Sequence, residues 1–458
     1  MAKTTTDDHD HDGDHHTSDN SVKDGYEELA NSMEAKLYDD SPPLSSKCCI
    51  FRVPEVIRRS NQKDYEPDIV SIGPFHRKKK KLQPMEKVKR WYLRTLLSRV
   101  NISMLSLIKG TAVIESRARE CYQEPIEVND EKNEFLEMMI MDGCFLIELF
   151  RKEACPNLRS LDDPIFNMAC MHQYIYHDLL LLENQLPLFV LQNLFYLTMQ
   201  KSQRNHSLNQ LVLFFFSVHF AMVSIYEYSH LFEYEHLHVL DLIRNMLIGS
   251  YPYKPPNCAC KKVNIPKLIP CVTHLLEAGV KFKKGSADNM MNINFVNGVI
   301  EIPPLIIEET TEPMFRNMIA YEQCFHRCFD KVTSYAVLMD NLINSSKDVE
   351  HLSDCGIIDN WLSAEKASML FNNLYNDTLV TNFYYATLCG RVNKYYMTKW
   401  HRWRATLMRD YFKTPWTIIS TVGAFILLVL TFLQTFYSIM QPHASDDKQC
   451  PANCTRLL

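Results

Sequence analysis

The stretch Phe135–Phe150, FLEMMIMDGCFLIELF, decides the fold class. Within it Phe135, Leu136, Met139, Ile140, Cys144 and Ile147 recur at spacings of three and four, which places them on one apolar face of a helix. Two further runs extend the helical reading. Asp178–Met199, DLLLLENQLPLFVLQNLFYLTM, is nearly all apolar but is interrupted by Glu183-Asn184-Gln185 and Pro187. Leu211–Tyr226, LVLFFFSVHFAMVSIY, is 16 residues long and contains His219. Both are too short or too broken to span a bilayer, so they read as core helices that are apolar all round.

Strand signals are confined to one region. Val280-Lys281-Phe282 is followed by Ile293–Val296, then Asn297-Gly298, then Val299–Ile302. Asn-Gly between apolar runs predicts a hairpin, because both turn residues need a positive φ. Pro303 and Pro304 restrict the last strand to a sheet edge. The helical pattern resumes after Thr311-Glu312-Pro313. The expected fold is mainly α: a single large helical domain over residues 47–413, carrying a small β-hairpin or meander.

The two ends differ from this body. Residues 1–46 are polar and acidic, with 12 Asp/Glu against 3 Lys in the first 40. Such a segment buries too little apolar surface to offset its ordering entropy, and it reads as a disordered tail. Its His9, His11, His15 and His16 stand among carboxylates, a composition that binds divalent metal loosely; a solubilising tail is the plainer reading. No apolar stretch of signal-peptide type follows Met1.

At the other end, Thr414–Ser445 holds no Asp, Glu, Lys or Arg. Its apolar part, 416–440, is 25 residues, long enough as a helix to cross a hydrocarbon core of about 30 Å with some tilt. Thirteen Leu, Ile, Phe or Val residues lie in it. On an insertion scale they contribute at most about −4 to −8 kcal/mol. Thr414 is placed as N-cap and Pro415 as first helical residue. Lys399, Arg402, Arg404, Arg409 and Lys413 precede the span, whereas the charges after it cancel. The positive-inside rule therefore predicts a single-pass tail anchor with the body in the cytosol and residues 441–458 outside. That tail contains the sequon Asn453-Cys454-Thr455, and Cys450 and Cys454 as a candidate disulfide. The basic, aromatic 399–413 stretch also suits anionic lipid.

Composition closes several functional classes. The chain has 12 glycines in 458 residues, and the nearest pair, Gly279 and Gly285, is six apart. GxGxxG, GxxxxGK and GxSxG are thereby absent, and so is HExxH. The net charge of −5 combines −9 in residues 1–40 with +4 in residues 399–413, leaving a near-neutral body that does not suit a nucleic-acid surface. Arg77–Lys81 is the one local basic run and reads as a solvated loop. Fifteen cysteines occur without a CxxC; Cys258-x-Cys260 and Cys324-x-His326-x-Cys328 fall short of a zinc pattern and read as free thiols of a reducing compartment. No cofactor or metal is expected.

Several segments in fixed order resemble the plant-specific domain-of-unknown-function family number 247. They are Asp68–His76 (DIVSIGPFH) with Leu82–Glu86, Met141–Phe150, Asp178–Pro187, Glu277–Phe282, Phe295–Pro304, Arg316-Asn317 with Glu322-Gln323, Met339–Ile343 with Asp348-Val349, Trp403–Ala405, and Thr414–Trp416. The resemblance covers about residues 48–440 and implies a helical body with a C-terminal hydrophobic helix, without any catalytic mechanism. Some grass members of the family sit at self-incompatibility loci as candidate male determinants, which implies cell recognition as one role. The lysine run after Arg77 departs from the family pattern.

Candidates for chemistry are the carboxylates set in apolar runs, Asp142, Glu148 and Glu183. Burial raises the pKa of such a group and makes it a candidate general acid or base. The plainer reading of Glu183-Asn184-Gln185 is a satisfied polar knot at a helix end. His177-Asp178 pairs a base with a carboxylate, but neighbours in a helix do not face each other. The expectation is a membrane-anchored interaction or recognition module with a protein partner rather than an enzyme. The alternative is a membrane-tethered enzyme using a buried carboxylate.

Overall fold

The computed structural model describes residues 17–38, 44–124, 133–199, 206–217, 235–249, 268–286, 290–398, 403 and 415–440. Helices dominate, as the periodicity predicts. In the first half they are α1 (Thr17–Tyr38), α2 (Glu55–Arg58), α3 (Gln83–Val100), α4 (Met104–Ala112), α5 (Glu115–Arg119), α6 (Glu134–Ala154), α7 (Ala169–Leu179), α8 (Leu188–Leu197) and α9 (Leu208–Phe216). The second half adds α10 (Val239–Ile248), α11 (Val272–Glu277), α12 (Thr311–Cys324), α13 (Lys331–Leu342), α14 (Ser346–Asp354), α15 (Ala364–Asn373), α16 (Ala386–Tyr396) and α17 (Pro415–Met440).

The helix that decides the fold class, α6, is the central post. It packs against α3, α8 and α9. It is more than the one-faced helix its spacing predicts, because 16 of its 21 residues are buried, Asp142, Glu148, Arg151 and Lys152 among them. The charges on its second face are buried opposite partners, Asp142 and Glu148 against Lys89 and Arg99 of α3 and Lys152 against Asp163, so polarity in the sequence there does not mean solvent. Gly143 lets α8 approach closely: a Cβ at that position would lie 2.3 Å from a Leu194 methyl. The apolar run after Asp178 is α8 and the turn before it, buried as expected. Of the run at Leu211, Leu211–Phe216 lies in α9, mostly buried and fixed at its start by a capping box between Ser207 and Gln210; residues 218–226, with His219, lie outside the described residues. One buried cluster extends from Cys48 to Val392.

The hairpin forms as read. β2 (Asn294–Val296) and β3 (Val299–Ile302) pair antiparallel, with Asn297 at φ 50° and Gly298 at φ 80°. Two expectations about its surroundings fail. The strand β1 (Lys281–Lys284) pairs with β3 in parallel, giving the order β1-β3-β2, so the sheet is not a meander. β3 is consequently central and not an edge. Pro303 and Pro304 permit this because they follow Ile302, the last residue in the ladder, and no paired N–H is lost. A second small sheet joins β4 (Leu305–Ile307) in parallel to β5 (Ile358–Asn360).

The N-terminal expectation also needs correction, since α1 is a helix within the 1–46 segment read as disordered. Glu27, Glu28, Leu29, Ala30, Met33, Glu34, Ala35 and Leu37 are good helix formers, and propensity acts without burial. The argument from burial holds in its own terms: all its described side chains, Tyr26 to Leu37, are exposed.

At the C-terminus, α17 contains a 23-residue span, Ile418–Met440, long and apolar enough to cross a membrane, and its apolar window is not buried at all. Pro415 is its first residue, as expected.

Candidate functional site

The segment Asp68–His76 crosses the core with almost no strand partner. Its buried N–H and C=O groups must still be paired, and side chains pair them. Asp178, at the end of α7, accepts from the N–H groups of Asp68 (2.7 Å), Ile69 (2.8 Å) and Val70 (2.8 Å). Asn184 accepts from Ile72 N at 2.6 Å and donates to the Val70 carbonyl at 3.0 Å. Asp142 on α6 accepts from Gly73 N at 2.9 Å. Lys89 on α3 donates to Asp142 and Glu86, each at 2.6 Å, and to the Ser71 carbonyl. Gly73 is obligatory here, with φ +75° and only 2.6 Å between an added Cβ and the Gln185 carbonyl oxygen.

The following residues extend the knot. Gln185 donates to the Leu179 and Leu181 carbonyls and accepts from Leu240 N. Asn317 on α12 accepts from Leu182 N at 2.9 Å and donates to the Asp64 carbonyl at 2.7 Å. The expected polar knot is thus present, and it joins segments far apart in the chain. Asp142 lies inside it with both oxygens occupied. Burial raises its pKa and Lys89 opposes that rise.

Glu183 differs from its neighbours. It lies on the floor of a cleft of about 640 Å³, lined among others by Phe51, Arg52, Arg58, Phe75, His76, Lys79, Gln123, Glu124 and Cys324. One of its oxygens accepts from Val53 N at 2.7 Å and from Arg58. The other lies 3.2 Å from His76 Nε2 and 3.5 Å from Arg52 Nη1. Burial pushes this carboxyl upward, but His76, Arg58 and the Val53 N–H outweigh it and hold the pKa below the ordinary value. That reverses the expectation of a raised pKa, because the carboxylate has an arginine near each oxygen, Arg58 at one and Arg52 at the other, beside His76. His76 is 2% exposed, and neither ring nitrogen makes a well-aligned hydrogen bond; its contact with Glu183 is the 3.2 Å approach of Nε2. Burial lowers its pKa against the pull of Glu183, favouring the neutral ring.

The cleft's rim is mixed. Arg52 lies over the Phe75 ring at 4.1 Å and contacts Glu124 at 3.2 Å. Lys79, from the run read as a solvated loop, pairs with Glu66 at 2.8 Å.

The remaining candidates fall into place around these. Glu148 pairs with Arg99, and burial raises its pKa. His177 and Asp178 do meet, contrary to the expectation: Nδ1 lies 3.1 Å from Oδ1. The contact forms at the last turn of α7, where the Asp178 carboxylate folds back toward residues 68–70 and the ring follows it. Burial pulls the His177 pKa down, but Asp178 and Asp68 outweigh this and raise it. Asp68, His177 and Asp178 are the one group with metal-ligand spacing among the described residues, yet the Asp178 oxygens already hold three backbone N–H groups. Cys324 lines the cleft, with burial pushing its thiol up to about 12. His9, His11, His15, His16, Cys258, Cys260, Lys399, Arg402, Arg404, Arg409, Lys413, Cys450, Asn453 and Cys454 lie outside the described residues.

Sequence reasoning missed Arg52, Arg58, His76 and Lys79 as companions of Glu183. The usable signal was His76 at the end of the DIVSIGPFH segment, a polar residue that its apolar setting does not require.

A mainly helical body in which the DIVSIGPFH, MDGCF and DLLLLENQLP segments are tied into one buried knot, followed by an exposed apolar helix, defines a plant protein class. The chain belongs to the plant protein family of unknown function DUF247, which matches residues 50–430. It is 30% identical over 420 residues to the UPF0481 protein At3g47200 of Arabidopsis thaliana, with 86% of each chain covered. It is 24% identical over 479 residues to the putative UPF0481 protein At3g02645 of the same plant, covering 84% of this chain and 89% of that one. No solved structure matches.

Proposed function

We propose that the chain is a membrane-anchored protein-interaction module, held by Pro415–Met440 and engaging a protein partner with its helical body. The observation that carries the reading is that no residue of the apolar window in 418–440 is buried, while the body has a buried core of its own. An apolar helix of that length left in water exposes far more contiguous apolar surface than a soluble chain tolerates, and a bilayer covers it. Lys399, Arg402, Arg404, Arg409 and Lys413 before the span support a cytosolic body by the positive-inside rule. The cleft above Glu183 is the contact face, with Arg52, Lys79 and Phe75 available to a polypeptide. Recognition between cells, of the self-incompatibility type, is the role the family resemblance adds.

The alternative of a tethered enzyme draws less support. Asp142 has no free oxygen, and Glu183 is held ionised by His76, Arg58 and Val53, which leaves it a poor general acid. The test replaces Arg52 and Lys79 by Glu together and compares partner capture by cross-linking in membranes. Loss of the partner with unchanged circular dichroism supports the reading. Unchanged capture, or turnover of a metabolite by the purified protein, contradicts it.

A further inference from the structure

Beneath the cleft, two distant pieces of chain meet as a single parallel bridge, Ile50 to Tyr122. The N–H groups of Cys49 and Ile50 both donate to the Cys121 carbonyl at 2.9 Å, and Gln123 N donates to the Ile50 carbonyl at 3.0 Å. Cys49 and Cys121 are therefore the residues one step before the bridge on each side. Residues paired in this way lie about 4.8 Å apart across the strands, within the span of about 4.4–6.8 Å that a disulfide needs. Both thiols are free and buried, and residues opposite each other in a ladder project to the same face; Cys121 Sγ donates to the Arg117 carbonyl at 3.4 Å.

We infer that Cys49 and Cys121 form a peroxide-oxidisable dithiol, which closes to an intramolecular disulfide directly under the cleft. The two thiols have different parts. The neighbouring Cys49 thiol, Arg117 and Lys47 lower the Cys121 pKa against burial, while Cys121 and burial raise that of Cys49. Cys121, beside two cations, is assigned the peroxidatic part and Cys49 the resolving one. It is also the less buried of the two, at 6% exposure against 2%.

The chemistry balances with a hydroperoxide as oxidant. The Cys121 thiolate attacks one peroxide oxygen; the O–O bond breaks, hydroxide leaves and takes a proton as water, and a sulfenic acid remains on Cys121. The Cys49 sulfur then attacks the Cys121 sulfur. The S–O bond breaks, the Cys49 proton leaves with the hydroxyl as a second water, and the S–S bond forms. Two electrons pass from the two sulfurs to the peroxide.

The bond would tie the two walls of the cleft together. Cys49 leads into Phe51, Arg52 and Val53, and Cys121 leads into Gln123 and Glu124, all of which line it. Arg52 N already donates to Gln123 Oε1 at 3.0 Å. The inference rests on the chain's own sulfurs and not on the identity of any partner.

The experiment uses the full chain in detergent micelles, titrated with hydrogen peroxide and digested without reductant. The expected result is a peptide pair linked through Cys49 and Cys121 as the major oxidised species, reversed by dithiothreitol. In Cys49→Ser, dimedone should label Cys121; in Cys121→Ser, Cys49 should stay unlabelled. Linkage of Cys121 to Cys48, overoxidation of Cys121 without linkage, or no reaction at either residue while the exposed Cys155 and Cys170 react would overturn it. Should either variant fail to fold, the wild-type peptide map decides alone.

Discussion

Replacing Asp178 by Ala removes the acceptor for three backbone N–H groups at 2.7–2.8 Å and the partner of His177. The three donors are not equivalent. Asp68 is exposed, so water can take its N–H, whereas Val70 is fully buried and Ile69 partly so. Leaving a buried donor unpaired costs about 1–3 kcal/mol, and a hydrogen bond to a charged group contributes about 1.5–3 kcal/mol. The two inner bonds together predict a loss of about 3–5 kcal/mol, in the range measured when one member of a buried charge interaction is removed. Asp178→Asn keeps one carbonyl oxygen for one side of the segment and turns an amide N–H₂ toward the other, so it should lose about half as much. The assay is urea unfolding of the full chain in detergent, followed by far-ultraviolet circular dichroism. His177 supplies a second readout: without the carboxylate its pKa should fall, because Asp178 is what raises it against burial. A Val70 amide that keeps its hydrogen-exchange protection, with a loss below about 1 kcal/mol, would refute the reasoning that side chains replace a missing strand partner here.

Three further outcomes follow from the same geometry. Gly298→Ala should destabilise by about 1–3 kcal/mol, since Gly298 has φ +80° and an added Cβ would lie 2.6 Å from the Tyr395 hydroxyl; unfolding midpoints check it. Glu183 has a depressed folded-state pKa, so its contribution is fully present above the unfolded carboxylate value and is lost as the pH falls through the folded one. The neutral His76 acts in the same direction, since its lowered pKa gives stability above the ordinary imidazole value that is lost on acidification; Glu183→Gln should therefore flatten the acid limb of a stability–pH curve. Removing residues 415–458 should move the chain from the carbonate-resistant membrane pellet to the supernatant, as fractionation will show.

What the sequence revealed is what depends on local pattern. Helix α6, the apolar α8 and the Asn297-Gly298 hairpin were legible because periodicity and turn chemistry act over a few residues. The exposed span of α17 was legible from length and charge alone. The parallel partner of β3 was not, because parallel pairing has no turn to announce it and the strands lie 18 residues apart in register, Lys281 against Val299. The pairing of Leu305 with Ile358 is more distant still. At the site, the Glu-Asn-Gln run correctly suggested a knot, yet gave no sign that Asn184 and Gln185 face inward while Glu183 faces a cleft. That distinction depends on Arg58 and His76, more than 100 residues earlier in the chain. The contact of His177 with Asp178 was misjudged because the rule for helix interiors was applied at a helix end.

The central claim is an anchored chain with its body on the cytosolic side, and topology tests it most directly. The body carries the sequons Asn101-Ile-Ser, Asn205-His-Ser, Asn344-Ser-Ser and Asn376-Asp-Thr; Asn205 lies outside the described residues, and the other three asparagines are exposed, so each of these would be open to glycosylation if the body entered a lumen. The full chain, tagged at both ends, is inserted into microsomes and treated with protease and with glycosidase. The account predicts that the N-terminal tag and body are digested, the C-terminal tag is protected, and Asn101, Asn344 and Asn376 carry no glycan. A protected body with glycans at those positions would contradict it.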